Sequence, residues 1–176
     1  MAEQVESPSP ATAPTQASLW TTYVRGVIAG LLSAGALALW FYSLDFSRGR
    51  PLYTPTLLGA AVFGGADLTH PEMLRPSLSL TLLFTLVHVI AFVLVGLAAA
   101  RLLTAVQRRR HLGIAILLLF VALEFGFLAF GVTFVAVALD ALGWTDVLLG
   151  NLVAAATMGG YLWRTRRNLQ LEAQGS

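Results

Sequence analysis

The chain has 176 residues, 11 basic against nine acidic side chains, a net charge of +2 and no cysteine. Hydrophobic residues make up 57% and charged residues 11%, where a soluble domain carries about a quarter charged. An ordinary soluble domain, disulfides, thiolate metal sites, iron–sulfur ligation and covalent c-type haem are thereby excluded.

A mean hydropathy of +0.75 agrees with an integral membrane protein. Every basic residue is arginine, a codon bias that fits a GC-rich bacterium. The arginines flank apolar runs instead of forming a patch, so nucleic acid is not an expected partner.

Residues 1–18 are rich in Pro, Ser, Thr, Ala and Gln, with Glu3 and Glu6 as their charges. Such a segment buries too little apolar surface to offset its ordering entropy and is expected to be a disordered tail. It lacks the positive start of a secretory signal, so the first span is expected to stay as an uncleaved anchor.

That span covers about 22–44, near the roughly 20 residues needed to cross the hydrocarbon. Gly26, Gly30, Ala34 and Ala38 put small residues at every fourth position, with Ser33 and Gly35 nearby. The spacing allows close backbone approach, either within the protomer or against another subunit.

The next loop holds TPTLLGAAVFGGA, Thr54 to Ala66. Thr54 and Pro55 predict a helix N-cap and first position, and Gly64–Gly65 a stop. At about 1.5 Å per residue the segment reaches only about 20 Å, too short to span. It is expected as a half-helix in the outer interface or dipping against the bundle. Thr69 and Glu72 then stand at capping-box spacing, and Pro76 breaks the chain.

Further spans are predicted at about 79–101, 113–138 and 147–163, with a short tail after them, 168–176. Aromatic residues mark the ends: Trp20 and Tyr23, Trp40 and Tyr42, Trp144, Tyr161 and Trp163. The fold class is therefore an all-α four-span bundle, residues 19–167, with a half-helix in its first external loop. With both termini cytoplasmic, Arg25, Arg101, Arg108, Arg109, Arg110, Arg164, Arg166 and Arg167 lie inside. Arg48, Arg50 and Arg75 remain outside, the bias expected of an inner-membrane protein.

Two polar residues interrupt the spans. Glu124 is the one charge in the run from Gly113 to Leu139, and a mid-span carboxyl costs about 2.5–3.5 kcal/mol on insertion scales. In the second span Thr81, Phe84, Thr85, His88 and Phe92 share one helical face. By rise alone His88 lies about 14 Å and Glu124 about 20 Å from the outer boundary, so a hydrogen bond between them is feasible. Burial favours a neutral acid donating to a neutral imidazole, with an ion pair as the competing state.

This pair either holds two helices together or forms a proton-accepting site. Alternatively, His88 binds a haem or chlorophyll-type pigment as axial ligand. Asn151, near the outer end of the fourth span, is expected to hydrogen-bond between helices. Asp45, Asp140 and Asp146 at the same end read as solvated helix ends. A polar site at this outer mouth, roofed by Thr54 to Ala66, is the alternative.

No HExxH, GxSxG, phosphate-cradling glycine loop or metal-ligand cluster occurs, so no catalytic residue is assigned. The runs GRPLYTPTLLGAAVFGG and NLVAAATMGGYLWR resemble those of small bacterial four-span membrane proteins. That resemblance implies no activity and carries over no residue. The expected role is non-catalytic: an accessory or assembly subunit of a larger membrane complex, respiratory or photosynthetic, with other subunits or itself as partner. The alternative is a small transporter or proton-conducting protein using Glu124 and His88.

Orientation is directly measurable. Single cysteines at Ser47 and Gly143 should react with an impermeant thiol reagent from outside the cell, and one at Gln107 should not. Labelling of the Gln107 position from outside would reverse the assignment.

Overall fold

The computed structural model describes residues 16–65, 67–105, 121, 125–126, 129 and 141–174. Among them are helices α1 (Gln16–Ser47), α2 (Tyr53–Phe63), α3 (Leu78–Ala105) and α4 (Trp144–Gln174), with a 3-10 turn at Pro71–Met73. The described residues contain no strand, as an all-α reading requires.

Leu19–Ser47 and Leu78–Leu103 are long and apolar enough to cross a membrane. Their outer surfaces carry Ile28, Leu31, Leu32 and Leu39 on α1, and Leu82, Leu86, Ile90 and Leu94 on α3, all exposed. A surface of that kind suits hydrocarbon and not water. In hydrocarbon a helix is one of the few forms that satisfies its own backbone, so these stretches gain little from any other conformation. Helix α4 divides into an apolar half and an end bearing Arg164, Arg166 and Arg167. It runs on to Gln174, through most of the segment expected as a tail, and α1 likewise begins at Gln16.

α1 and α3 meet where side chains are missing. A Cβ on Gly30 would strike the carbonyl of Phe92 and stand 2.7 Å from the Cα of Val93. One on Gly26 would stand 2.8 Å from the Cα of Leu97, and one on Gly96 would strike the carbonyl of Gly26. Two backbones in contact leave no slack for added atoms. Of the small residues singled out on α1, Gly26, Gly30 and Ala34 are therefore spent inside the protomer. Ala38 lies on the outer surface, and Gly35 has nothing within 4 Å of where its Cβ would be.

α4 packs on the adjoining side of α1. A Cβ on Gly150 would stand 2.7 Å from Leu37 and 2.9 Å from Trp40. Ala29, Ala34, Leu37, Phe92, Ala99, Ala100, Ala154, Met158 and Leu162 form the core that joins the three long helices. Paired positions rise along α1 as they fall along α3 and along α4, so both run antiparallel to α1.

α2 fills the end of the bundle where α1 finishes, the end expected from the sequence to face outward. Tyr53, Leu57 and Leu58 cluster with Leu142 and Val147, and Gly59 lets α2 lie directly on the backbone of Leu80. The half-helix does pack against the bundle, but its start differs from the expectation. Tyr53 is the first helical residue and Leu52 the N-cap, with a left-handed φ of 66°. Thr54 stands second and Pro55 third, still within the first turn, where a missing N–H costs nothing. Gly64 ends the helix at φ 74°, as its sequence position predicts. The 3-10 turn forms where a short helical turn is expected, but without the capping box. The Thr69 hydroxyl donates instead to Asp67 at 2.7 Å.

The glycine contact can be tested by paired substitutions. Gly30→Ala should destabilise the detergent-solubilised protein by about 1–3 kcal/mol, because the clash is with backbone. Gly35→Ala should be neutral or stabilising by up to about 1 kcal/mol. Equal changes in unfolding free energy would contradict the packing described.

Candidate functional site

Polar groups gather at two levels. The first is the middle of the bundle. The Phe92 carbonyl lies over Gly30, so one turn outward on each antiparallel helix brings His88 beside Ala34. His88 Nε2 donates to the Ala34 carbonyl at 3.2 Å. A carbonyl only accepts, so Nε2 carries a proton, and in the neutral imidazole Nδ1 is the lone-pair nitrogen. Phe84 and Phe92 flank the imidazole with ring centroids at 5.8 and 4.7 Å. The predicted face of α3 is thus realised around His88, with Thr81 and Phe92 buried and Thr85 on its exposed margin.

Ser33 sits beside Ala34 and donates its hydroxyl to the Ala154 carbonyl at 2.9 Å. Two adjacent residues of α1 thereby tie α3 and α4 at one depth. Interhelical bonds of this kind average about 0.6 kcal/mol, so they fix register more than they add stability.

Glu124 and Asp140 lie outside the described residues. The expected bond between Glu124 and His88 therefore has only one end on view, and that end shows Nε2 already engaged by α1. A haem or chlorophyll-type metal could reach His88 in this arrangement only through Nδ1. No group of three or more His, Cys, Asp and Glu residues able to hold a metal ion occurs among the described residues.

The second level is the end of the bundle that holds α2. The sequence predicts a solvated helix end at Asp45, but its side chain is buried, with 2% of the residue exposed. One carboxylate oxygen accepts the Thr54 N–H at 2.7 Å and the other the Thr54 hydroxyl at 2.7 Å. A carboxylate from α1 thus caps α2, supplying charge where the helix dipole favours it and a partner for an otherwise orphaned N–H. The nearby cations are committed: Arg48 pairs with Asp146 at 2.5 Å, and Arg50 lies 4.0 Å from the Tyr53 ring centroid. Trp40 Nε1 donates to the Asp146 carbonyl at 3.0 Å. Behind α2, the Thr56 hydroxyl contacts that of Thr81 at 3.2 Å and accepts the Ser77 N–H.

Further out, Thr69 donates both its N–H and its hydroxyl to Asp67, holding that exposed carboxyl below the usual carboxylate range. Its neighbour His70 contacts Glu72 at 3.2 Å.

Asn151, expected to bond between helices, is 4% exposed, and its amide nitrogen has no partner among the described residues. Sequence reasoning places Asn151 at the outer mouth but misses Asp45 as a cap, and no local signal marks a carboxylate nine residues before the group it serves. Comparison with known protein families, with curated proteins and with solved structures finds no match.

The outer cap predicts a ranking of variants. Asp45→Ala leaves the Thr54 N–H and hydroxyl buried without partners and should cost about 1–3 kcal/mol. Asp45→Asn keeps both contacts, its oxygen accepting the N–H and its amide donating to the hydroxyl, and should cost less. Chemical unfolding of the two variants side by side measures the difference, and equal losses would mean that charge, not hydrogen bonding, holds α2.

Proposed function

We propose that this chain is a non-catalytic four-span protein of a bacterial inner membrane, an accessory or assembly subunit of a larger membrane complex. The observation that carries this reading is how the described polar side chains of the long helices are used. Ser33 and His88 bond to backbone carbonyls of neighbouring helices, Asp45 caps α2, and Thr56 and Thr81 bond to each other. Polar groups committed to helix contacts build a scaffold, whereas a conducting path needs ionisable groups in series.

Two further observations support the architecture. The last described residues of α3 and the first of α4 lie at opposite ends of α1, which favours another crossing between them and hence four spans. The outer surfaces of α1 and α4 keep exposed small residues that make no packing contact among the described residues, Gly35, Ala38 and Ala156, beside Leu31 and Leu152. Subunits can approach closely at such positions.

A small transporter or proton-conducting protein remains the second reading, favoured by one observation. Nδ1 of His88 has no hydrogen bond among the described residues, so the imidazole retains a site for a proton, and the next span expected from the sequence carries Glu124.

One preparation separates the two. Gentle solubilisation should bring down stable membrane partners identified by mass spectrometry. Proteoliposomes of the purified chain should show no proton flux, and Glu124→Gln should leave both results unchanged. A protein that purifies alone and conducts protons, with flux abolished by Glu124→Gln while folding persists, would overturn the subunit reading. A Soret or pigment band that is lost in His88→Ala would instead assign a cofactor.

A further inference from the structure

The outer end holds two conformational costs that sit side by side. Leu52 is the one described non-glycine residue with a positive φ, 66°, in a region that side chains disfavour. Gly49 at φ 70° precedes it, and Gly64 and Gly65 at 74° and 90° come after α2, so left-handed backbone brackets the half-helix on both sides. The second cost is Asn151. Its amide nitrogen is buried without an acceptor among the described residues, one helical turn inward from Val147 on the same face of α4. Val147 belongs to the same buried apolar cluster as Leu142 and as Tyr53, Leu57 and Leu58 of α2.

We infer that α2 is a lid on the outer end of the bundle, latched by Asp45, and that the amide of Asn151 is the hydrogen-bond donor it closes over. Both costs belong to the closed state. Opening lets Leu52 leave the left-handed region and lets the Asn151 amide reach water or an oxygen acceptor carried by a ligand. Closure is held by the two bonds from Thr54 to Asp45, by Thr56 against Ser77 and Thr81, and by the apolar cluster under α2. The brackets at Gly49–Leu52 and Gly64–Gly65 are the joints about which the half-helix can swing without unwinding. A two-state element of this kind needs opposed terms of similar size, and both sets are present here.

The chain has no cysteine, so each single replacement provides the sole thiol. The full chain is placed in lipid nanodiscs, where both membrane faces meet a water-soluble maleimide and the result does not depend on orientation or on the subunit reading. Asn151→Cys should react at least about tenfold more slowly than the exposed reference Thr145→Cys. Adding Asp45→Ala should raise the Asn151→Cys rate about tenfold, and adding Thr54→Val, which removes only the hydroxyl bond, several-fold. Adding Asp45→Asn should change the rate by less than about twofold, since both contacts survive. The deeply buried control Met158→Cys should stay unreactive in every background. Unchanged Asn151→Cys rates in both Asp45→Ala and Thr54→Val would overturn the lid. So would Met158→Cys rates that rise in step, because the whole bundle would then be loosening. If Asp45→Ala does not fold, Thr54→Val alone decides.

Discussion

The contact of Gly26 and Gly30 with Gly96 determines where the other groups of this fold can sit. Lipid tails are as apolar as leucine, so two helices in a membrane gain little from hiding hydrophobic surface and must fit closely instead. Here the fit is backbone against backbone, and it fixes the register of α3 on α1. His88 reaches the Ala34 carbonyl because Phe92, one turn inward, already rests on Gly30. A different register would leave the imidazole facing hydrocarbon or an apolar helix face. Ser33, next to Ala34, then ties α4 at the same depth, so one short stretch of α1 holds both neighbours.

The end that holds α2 is governed by a different constraint. A half-helix too short to span must place its first N–H groups somewhere other than lipid. Asp45, extending from the end of α1, supplies that partner, and the loop between them must close tightly enough for the carboxylate to reach Thr54. That tight closure accompanies the left-handed backbone at Gly49 and Leu52. The strain at Leu52 and the cap at Asp45 are thus two consequences of one geometric demand.

Much of this is legible in the residues. The apolar runs, their lengths and their aromatic ends announce the two described helices able to cross a membrane. The spacing of Gly26, Gly30 and Ala34 announces a close contact, and Gly64 announces the end of α2. Sequence does not say which partner uses the small residues, since a helix in the same chain and one in another subunit satisfy the same packing. It also misplaces the start of α2. Thr54–Pro55 has the form of a local cap, and only the fold shows that the capping group comes from a buried Asp45. The role of His88 is half legible: its face and depth are readable, but its partner is a backbone carbonyl, and carbonyls are present at every residue and leave no mark in a sequence.

The functional alternatives reduce to what two unspent nitrogen atoms do. Nδ1 of His88 is an acceptor, and the amide of Asn151 is a donor. The two lie on different helices, with His88 on α3 near mid-depth and Asn151 on α4 toward the outer end. Scaffolding accounts for the other buried polar groups described, because Ser33, Asp45, Thr54, Thr56 and Thr81 each have a partner inside the protomer. It accounts neither for the Asn151 amide, buried without a partner among the described residues at a cost in free energy, nor for the lone pair of His88 Nδ1. A subunit reading fits them if a neighbouring chain or a lipid supplies the missing atoms, and a conducting reading fits them if protons or a small ligand do. In either case the open small-residue positions of α1 and α4 and the two nitrogens call for something beyond the residues described.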